Sequence, residues 1–110
     1  MRTCFFLMAM ACLSIMPNRV VAQGPGWTVV SEVTEVVTVS SGGLNVRLTP
    51  DLTGCESQSG YGQHHASIYP DHHGINLFQS NLLAAMISGK KVTLYFTDNK
   101  CRVSEMRIFK

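Results

Sequence analysis

Only one stretch of this 110-residue chain has helical periodicity, and its place among strand-like segments is the strongest constraint on the fold. It begins at Asn76, and Phe78, Leu82, Ala85 and Met86 recur on one helical face that Leu83 and Ile87 widen. Asn76 is positioned to cap, with Gln79 three residues on, where a capping box places an amide or acid. Gly89 supplies a left-handed stop, and Lys90 and Lys91 follow where cations complement the helix dipole.

Strands surround this helix. Residues 27–40 are rich in β-branched types and contain neither Gly nor Pro, so they read as one long strand. Trp27, Val29, Val33, Val37 and Val39 share one parity, while Val30 and Val36 fall on the other. A strand bending across a small barrel, buried on different faces at its two ends, has this pattern. Ser40-Ser41-Gly42-Gly43 is a turn, and Leu44, Val46 and Leu48 then alternate with Asn45, Arg47 and Thr49 as a second strand, ended by Pro50 and Asp51. A short third strand, 66–69, lies within a Gly-, Ser-, Gln- and His-rich stretch over 51–74. After the helix, Val92, Leu94 and Phe96 alternate with Thr93, Tyr95 and Thr97 as a fourth strand, Asp98-Asn99 turns the chain, and 101–109 is a fifth. In that last strand Met106 and Ile108 share one parity, and Cys101, Val103 and Phe109 the other.

One helix between the third and fourth of five strands is the order of the OB fold, a small, partly open Greek-key barrel. The expected class is therefore mainly β, with an α+β sandwich as the alternative.

The N-terminus sets the compartment. Arg2 is followed by an apolar run over 4–16, then Pro17, Asn18, Arg19 and Val20-Val21-Ala22. This is the pattern of a secretory signal over 1–22 with cleavage before Gln23, leaving one domain over 23–110. The apolar run is too short to span a bilayer, which takes about 20 residues. A lipoprotein cleavage acylating Cys12 is the rival reading. Removal of the leader takes Cys4 and Cys12 with it, and the remaining Cys55 and Cys101 are expected to pair in an oxidising secreted or periplasmic setting.

The loss of Arg2 and Arg19 leaves seven basic residues against seven acidic ones, so the mature chain is neutral. Its precursor's positive charge is then no argument for a nucleic-acid or membrane partner. The 45 % hydrophobic and 15 % charged composition is too apolar for a disordered chain, even with part of it spent on the leader.

The run Leu82-Leu83-Ala84-Ala85-Met86-Ile87-Ser88-Gly89-Lys90-Lys91-Val92-Thr93-Leu94-Tyr95, followed by Cys101 and a terminal strand, resembles a pattern of small secreted bacterial proteins of unassigned role. More distantly it is similar to the binding subunits of AB-type bacterial toxins of the subtilase-cytotoxin and pertussis kind. There too a helix ending in a small residue and Gly leads into a Val-x-Leu-x strand of an OB barrel. The similarity covers roughly the last third of the chain. It implies a non-enzymatic subunit that recognises cell-surface glycans and assembles as a ring.

Chemistry-bearing residues concentrate in the segment 56–73. His64-His65 and His72-His73 bracket a short strand and a Pro turn, a placement that suggests zinc or copper held by His64, His65, His72 and His73, with Asp71 and Glu56 as further donors. Neighbouring histidines on an extended chain point to opposite sides, so solvated loop histidines without any cofactor are the plainer reading. Imidazoles also titrate near physiological pH, which would make the loop pH-sensitive. Catalytic motifs are missing: there is no Gly-x-Ser-x-Gly elbow, His-Glu-x-x-His helix, phosphate-binding glycine loop or Cys-x-x-Cys pair. Aromatic residues suit a binding surface better. Tyr61 and Tyr69 flank the first histidine pair and offer stacking faces, Tyr95 lies opposite the Leu94 parity, and Trp27 and Phe78 read as core.

The expectation is a secreted, disulfide-stapled binding module for a glycan or protein partner, with Tyr61, His64, His65, Tyr69 and His72 as ligand-binding candidates. A periplasmic metal-binding protein and a structural subunit of a secreted assembly are the alternatives.

Overall fold

The computed structural model describes residues 23–110, so the expected leader and its Cys12 alternative lie outside the described residues. Its elements are β1 (Gly26–Trp27), β2 (Ser31–Thr38), β3 (Leu44–Thr49), a single 3-10 turn at Gln58–Gly60, β4 (His65–Ile68), α1 (Ile75–Ser88), β5 (Lys91–Phe96) and β6 (Val103–Phe109). The molecule is mainly β, an OB-like barrel with, among the described residues, one long helix between the third and fourth full strands.

The pairing explains the curvature. β2 pairs antiparallel with β3, β3 with β4, and β5 with β6, while β2 crosses to β5 through Ser31–Val92 and Glu32–Lys91. Between β4 and β6 the sheet closes only at a parallel bridge, Ser67–Arg102, where the Ser67 amide donates to the Cys101 carbonyl at 3.0 Å. That single bridge leaves the barrel partly open. Its interior holds Val46, Leu48, Ala66, Ile68, Leu82, Val92, Leu94 and Phe96, all at or below 1 % exposure, so the alternation expected of the second and fourth strands is present.

The long first strand is broken in two. β1 and β2 lie along the same edge of β5, and between them the Thr28 amide donates to the Leu94 carbonyl while the Thr28 hydroxyl accepts from the Leu94 amide. A side chain replacing a backbone acceptor interrupts the ladder, and Val29 and Val30 are pushed out into solvent. Trp27 is also displaced from its expected place in the core: it is 43 % exposed, edge-on to Tyr95 at 5.2 Å. Beyond the break, a register shift between Val33 and Glu35 bends β2 around the barrel.

The helix begins two residues earlier than its capping pattern suggests. Gly74 occupies the N-cap without a side-chain cap bond, which leaves Asn76 inside the first turn. Phe78, Leu82 and Ala85 are buried as expected, and Met86 packs against the core, but Leu83 and Ile87 face solvent because one helical stripe is enough to plug the barrel's end. Gly89 ends the helix in the left-handed region at φ 70°, its amide bonded back to the Ala85 carbonyl. In β6 a register shift opposite Tyr95 and Phe96 brings Val103 and Met106 to the core side despite their opposite parity.

Candidate functional site

The segment 51–64 lies across the outside of β3 and β4. Asn45 faces outward from β3 yet is fully buried: its amide donates to the Gln58 carbonyl at 2.9 Å, and its oxygen accepts from the Gln58 amide and the Ser67 hydroxyl, both at 3.2 Å. The Gln58 side-chain amide donates in turn to the Leu44 and Ile68 carbonyls at 3.0 and 3.1 Å, bridging the ends of the two strands. Gly43 makes room for it, since a Cβ there would clash with Gln58 Oε1. Cys55 and Cys101 form the expected disulfide, which ties the segment to the turn before β6, and the Glu56 amide donates to the Lys100 carbonyl beside it. Such a bond forms and persists outside the reducing cytosol, so the protein belongs to a non-cytoplasmic compartment.

This arrangement separates most of the candidate residues. His64 Nδ1 donates to the Leu52 carbonyl at 2.6 Å. His72 Nε2 donates to the Ser104 carbonyl and Nδ1 accepts from the Gly74 amide, both at 2.9 Å, with the ring edge-on to Phe78. Tyr69 lies under the Arg102 guanidinium at 4.2 Å, and Arg102 is paired with Asp71. His73 is exposed. The two histidine pairs therefore do not converge as the metal reading requires, and among the described residues no group of three or more His, Cys, Asp or Glu could hold a metal ion. Glu56 and Asp71, the proposed extra donors, go instead to Lys100 and Arg102. Each of these polar groups satisfies a local need of the loop, which disperses them.

Tyr61 and His65 do meet. His65 is 5 % exposed, and its Nε2 hydrogen-bonds Glu35 Oε1 across the outer sheet face, where Glu35, Arg47 and His65 stand in register on three strands. The Tyr61 ring rests edge-on against this imidazole at 5.7 Å and stays 48 % exposed. Ser59 and Gly60 before it are both left-handed, at φ 57° and 71°, so the chain turns tightly and presents the ring toward the β2–β3 hairpin. Between them lies a cleft of about 390 Å³ lined by Thr38, Val39, Ser40, Ser59, Gly60 and Tyr61. Aromatic carbon, three hydroxyls and backbone make up its walls, with no ionisable side chain except the tyrosine phenol.

A larger open groove, about 530 Å³, runs between α1 and β6. Trp27, Leu77, Phe78 and Met106 supply its apolar lining, and Asn81, Ser104, Glu105 and Arg107 its polar lining. The Arg107 guanidinium lies 5.8 Å from the Trp27 ring centre. Reading the sequence for function missed this groove altogether; the signal for it was Leu77, an apolar residue outside the helix's buried stripe. It also missed Thr38, Ser40 and Ser59, whose types say nothing until the hairpin and the 3-10 turn are brought together.

Neither cleft assembles a catalytic set. Among the described residues no hydrogen bond joins a histidine to Ser57, Ser59 or Ser67: Ser67 is bonded to Asn45, and the buried Ser57 hydroxyl has no partner. Comparison with known proteins finds no family model, no curated relative and no solved structure that matches this chain.

Proposed function

We propose that the protein is an exported, non-enzymatic binding module that holds a neutral glycan in the cleft at Tyr61. The observation that carries this reading is the solvent-facing Tyr61 ring, braced by His65 and Glu35 and set opposite the hydroxyl-bearing residues Thr38, Ser40 and Ser59. The C–H face of a sugar packs on an aromatic ring, its hydroxyls exchange hydrogen bonds with serine, threonine and backbone groups, and a neutral wall suits an uncharged ligand. The cleft sits at the turn between the first two full strands, a position from which OB-like barrels bind oligosaccharides. The bracing also lowers the cost of binding, because the ring is held in place before ligand arrives.

A glycan array probed with protein exported and purified in its oxidised form tests the reading. Binding to neutral glycans is expected, weakened at least about tenfold by Tyr61→Ala and largely kept by Tyr61→Phe, which preserves the ring. An array without signal, or affinity indifferent to Tyr61→Ala, would overturn it.

A further inference from the structure

The groove beside β6 borders an unpaired strand edge. Among the described residues β6 has one strand neighbour, β5, and its other edge is met only at its start, by the Ser67–Arg102 bridge and by His72 on the Ser104 carbonyl. None of the described strands lies beside the outer edge of Glu105–Phe109. Lining of the groove by four consecutive residues, Ser104 to Arg107, is what an edge presents, since a sheet face would contribute alternate ones.

The direction of the free backbone groups follows from β5. The amide and carbonyl of Leu94 are both engaged by Thr28 on the β1 side, so those of Thr93 and Tyr95 point toward β6. Their register partners, Arg107 and Glu105, therefore turn their own groups to β5, which leaves the amides and carbonyls of Met106 and Ile108 pointing outward. Such an edge, carrying Ile108 at 40 % exposure beside a groove lined in part by the exposed Trp27 and Leu77, is a template for another strand.

We propose that the strand it receives is β6 of a second copy, antiparallel, about a twofold axis through Met106. The charge pattern selects both the occupant and the register. With Met106 opposite its own copy, the outward backbone groups of the two residues bond each other, and each Glu105 faces Arg107 of the other chain on the outer sheet face. That pair is of the non-hydrogen-bonded type, in which side chains approach most closely. Shifting the axis by one residue to Glu105 or to Arg107 leaves the outward backbone groups able to bond, to Ser104 or to Ile108 of the other copy, but sets two like charges directly opposite each other. A closed twofold pairing of this kind stops at two chains, because it consumes the edge it uses. It also places the Tyr61 clefts of two copies in one molecule, although the pairing does not depend on what those clefts bind.

Sedimentation of the oxidised protein over a range of concentrations, combined with charge reversal, tests the pairing. The unaltered protein is expected to run as a dimer. Glu105→Arg and Arg107→Glu, each still folded by circular dichroism, are expected to weaken the dimer at least about tenfold, because each change converts both cross-chain attractions into repulsions. The doubly reversed protein restores the dimer, and an equimolar mixture of the two single variants forms a heterodimer, since every cross-chain pair is again opposite in sign. A monomer at all concentrations, a higher ring, single reversals without effect, or a double reversal that fails to restore pairing would each overturn the proposal.

Discussion

Gly43 and Gln58 show how a single residue can hold a long segment in place. The Gln58 amide fits over the ends of β3 and β4 only because Gly43 has no Cβ, so Gly43→Ala is expected to destabilise the protein by about 1–3 kcal/mol through loss of both Gln58 bonds to strand carbonyls. Denaturant melts of a double-mutant cycle would check this: in a Gln58→Ala background the same glycine substitution should cost far less. Arg47 and Asp51 are a second case. The Asp51 carboxylate accepts two bonds from the Arg47 guanidinium, at 3.2 and 3.3 Å, and this hydrogen bonding holds it below the usual aspartate range. A carboxylate with a lowered native pKa stabilises above the ordinary range and loses that contribution as pH falls through the lowered value. Carbon-13 titration of Asp51 should therefore give a depressed midpoint that returns to normal in Arg47→Gln. The effect on stability should be small and sensitive to salt, since both groups are exposed. Arg47 and Asp51 are visible four apart in the sequence, whereas the Gly43–Gln58 contact depends on a loop path that no local pattern encodes.

Among the elements, α1 and the alternating strands β3 and β5 were legible because burial imposes a period on them. The break between β1 and β2 was not. Thr28 sits in a run of β-branched residues whose local preference is for one continuous strand, and only the Leu94 backbone across the sheet makes its hydroxyl an acceptor. Thr28→Val keeps the shape and removes that acceptor, leaving the buried Leu94 amide unsatisfied; a loss of about 1–3 kcal/mol in thermal or denaturant unfolding is expected. A value near zero would mean that the backbone had closed the ladder itself. The helix shows the same limit at its start, where an Asn–Gln capping pattern at 76 and 79 is overridden by the tight His72–Gly74 turn that delivers the chain from β4.

For the whole molecule, the disulfide is the largest single constraint. It joins residues 46 apart and fastens the outer loop to the one place where the barrel closes. Replacing Cys55 and Cys101 together by alanine is expected to cost about 4 kcal/mol by loop entropy, read as a lower midpoint in chemical denaturation, with a far-UV spectrum still of the mainly β kind under native conditions. The pairing of these cysteines, the strand order and the helix's place were all written in residue type and spacing, because hydrophobic period and cysteine count act locally or through simple arithmetic. The gathering of Tyr61 with Thr38, Ser40 and Ser59, the dispersal of the four histidines and the open edge of β6 were not. Each of these depends on which groups satisfy one another across the sheet. That balance of hydrogen bonds and burial exists once the strands have met and has no counterpart in the order of the chain.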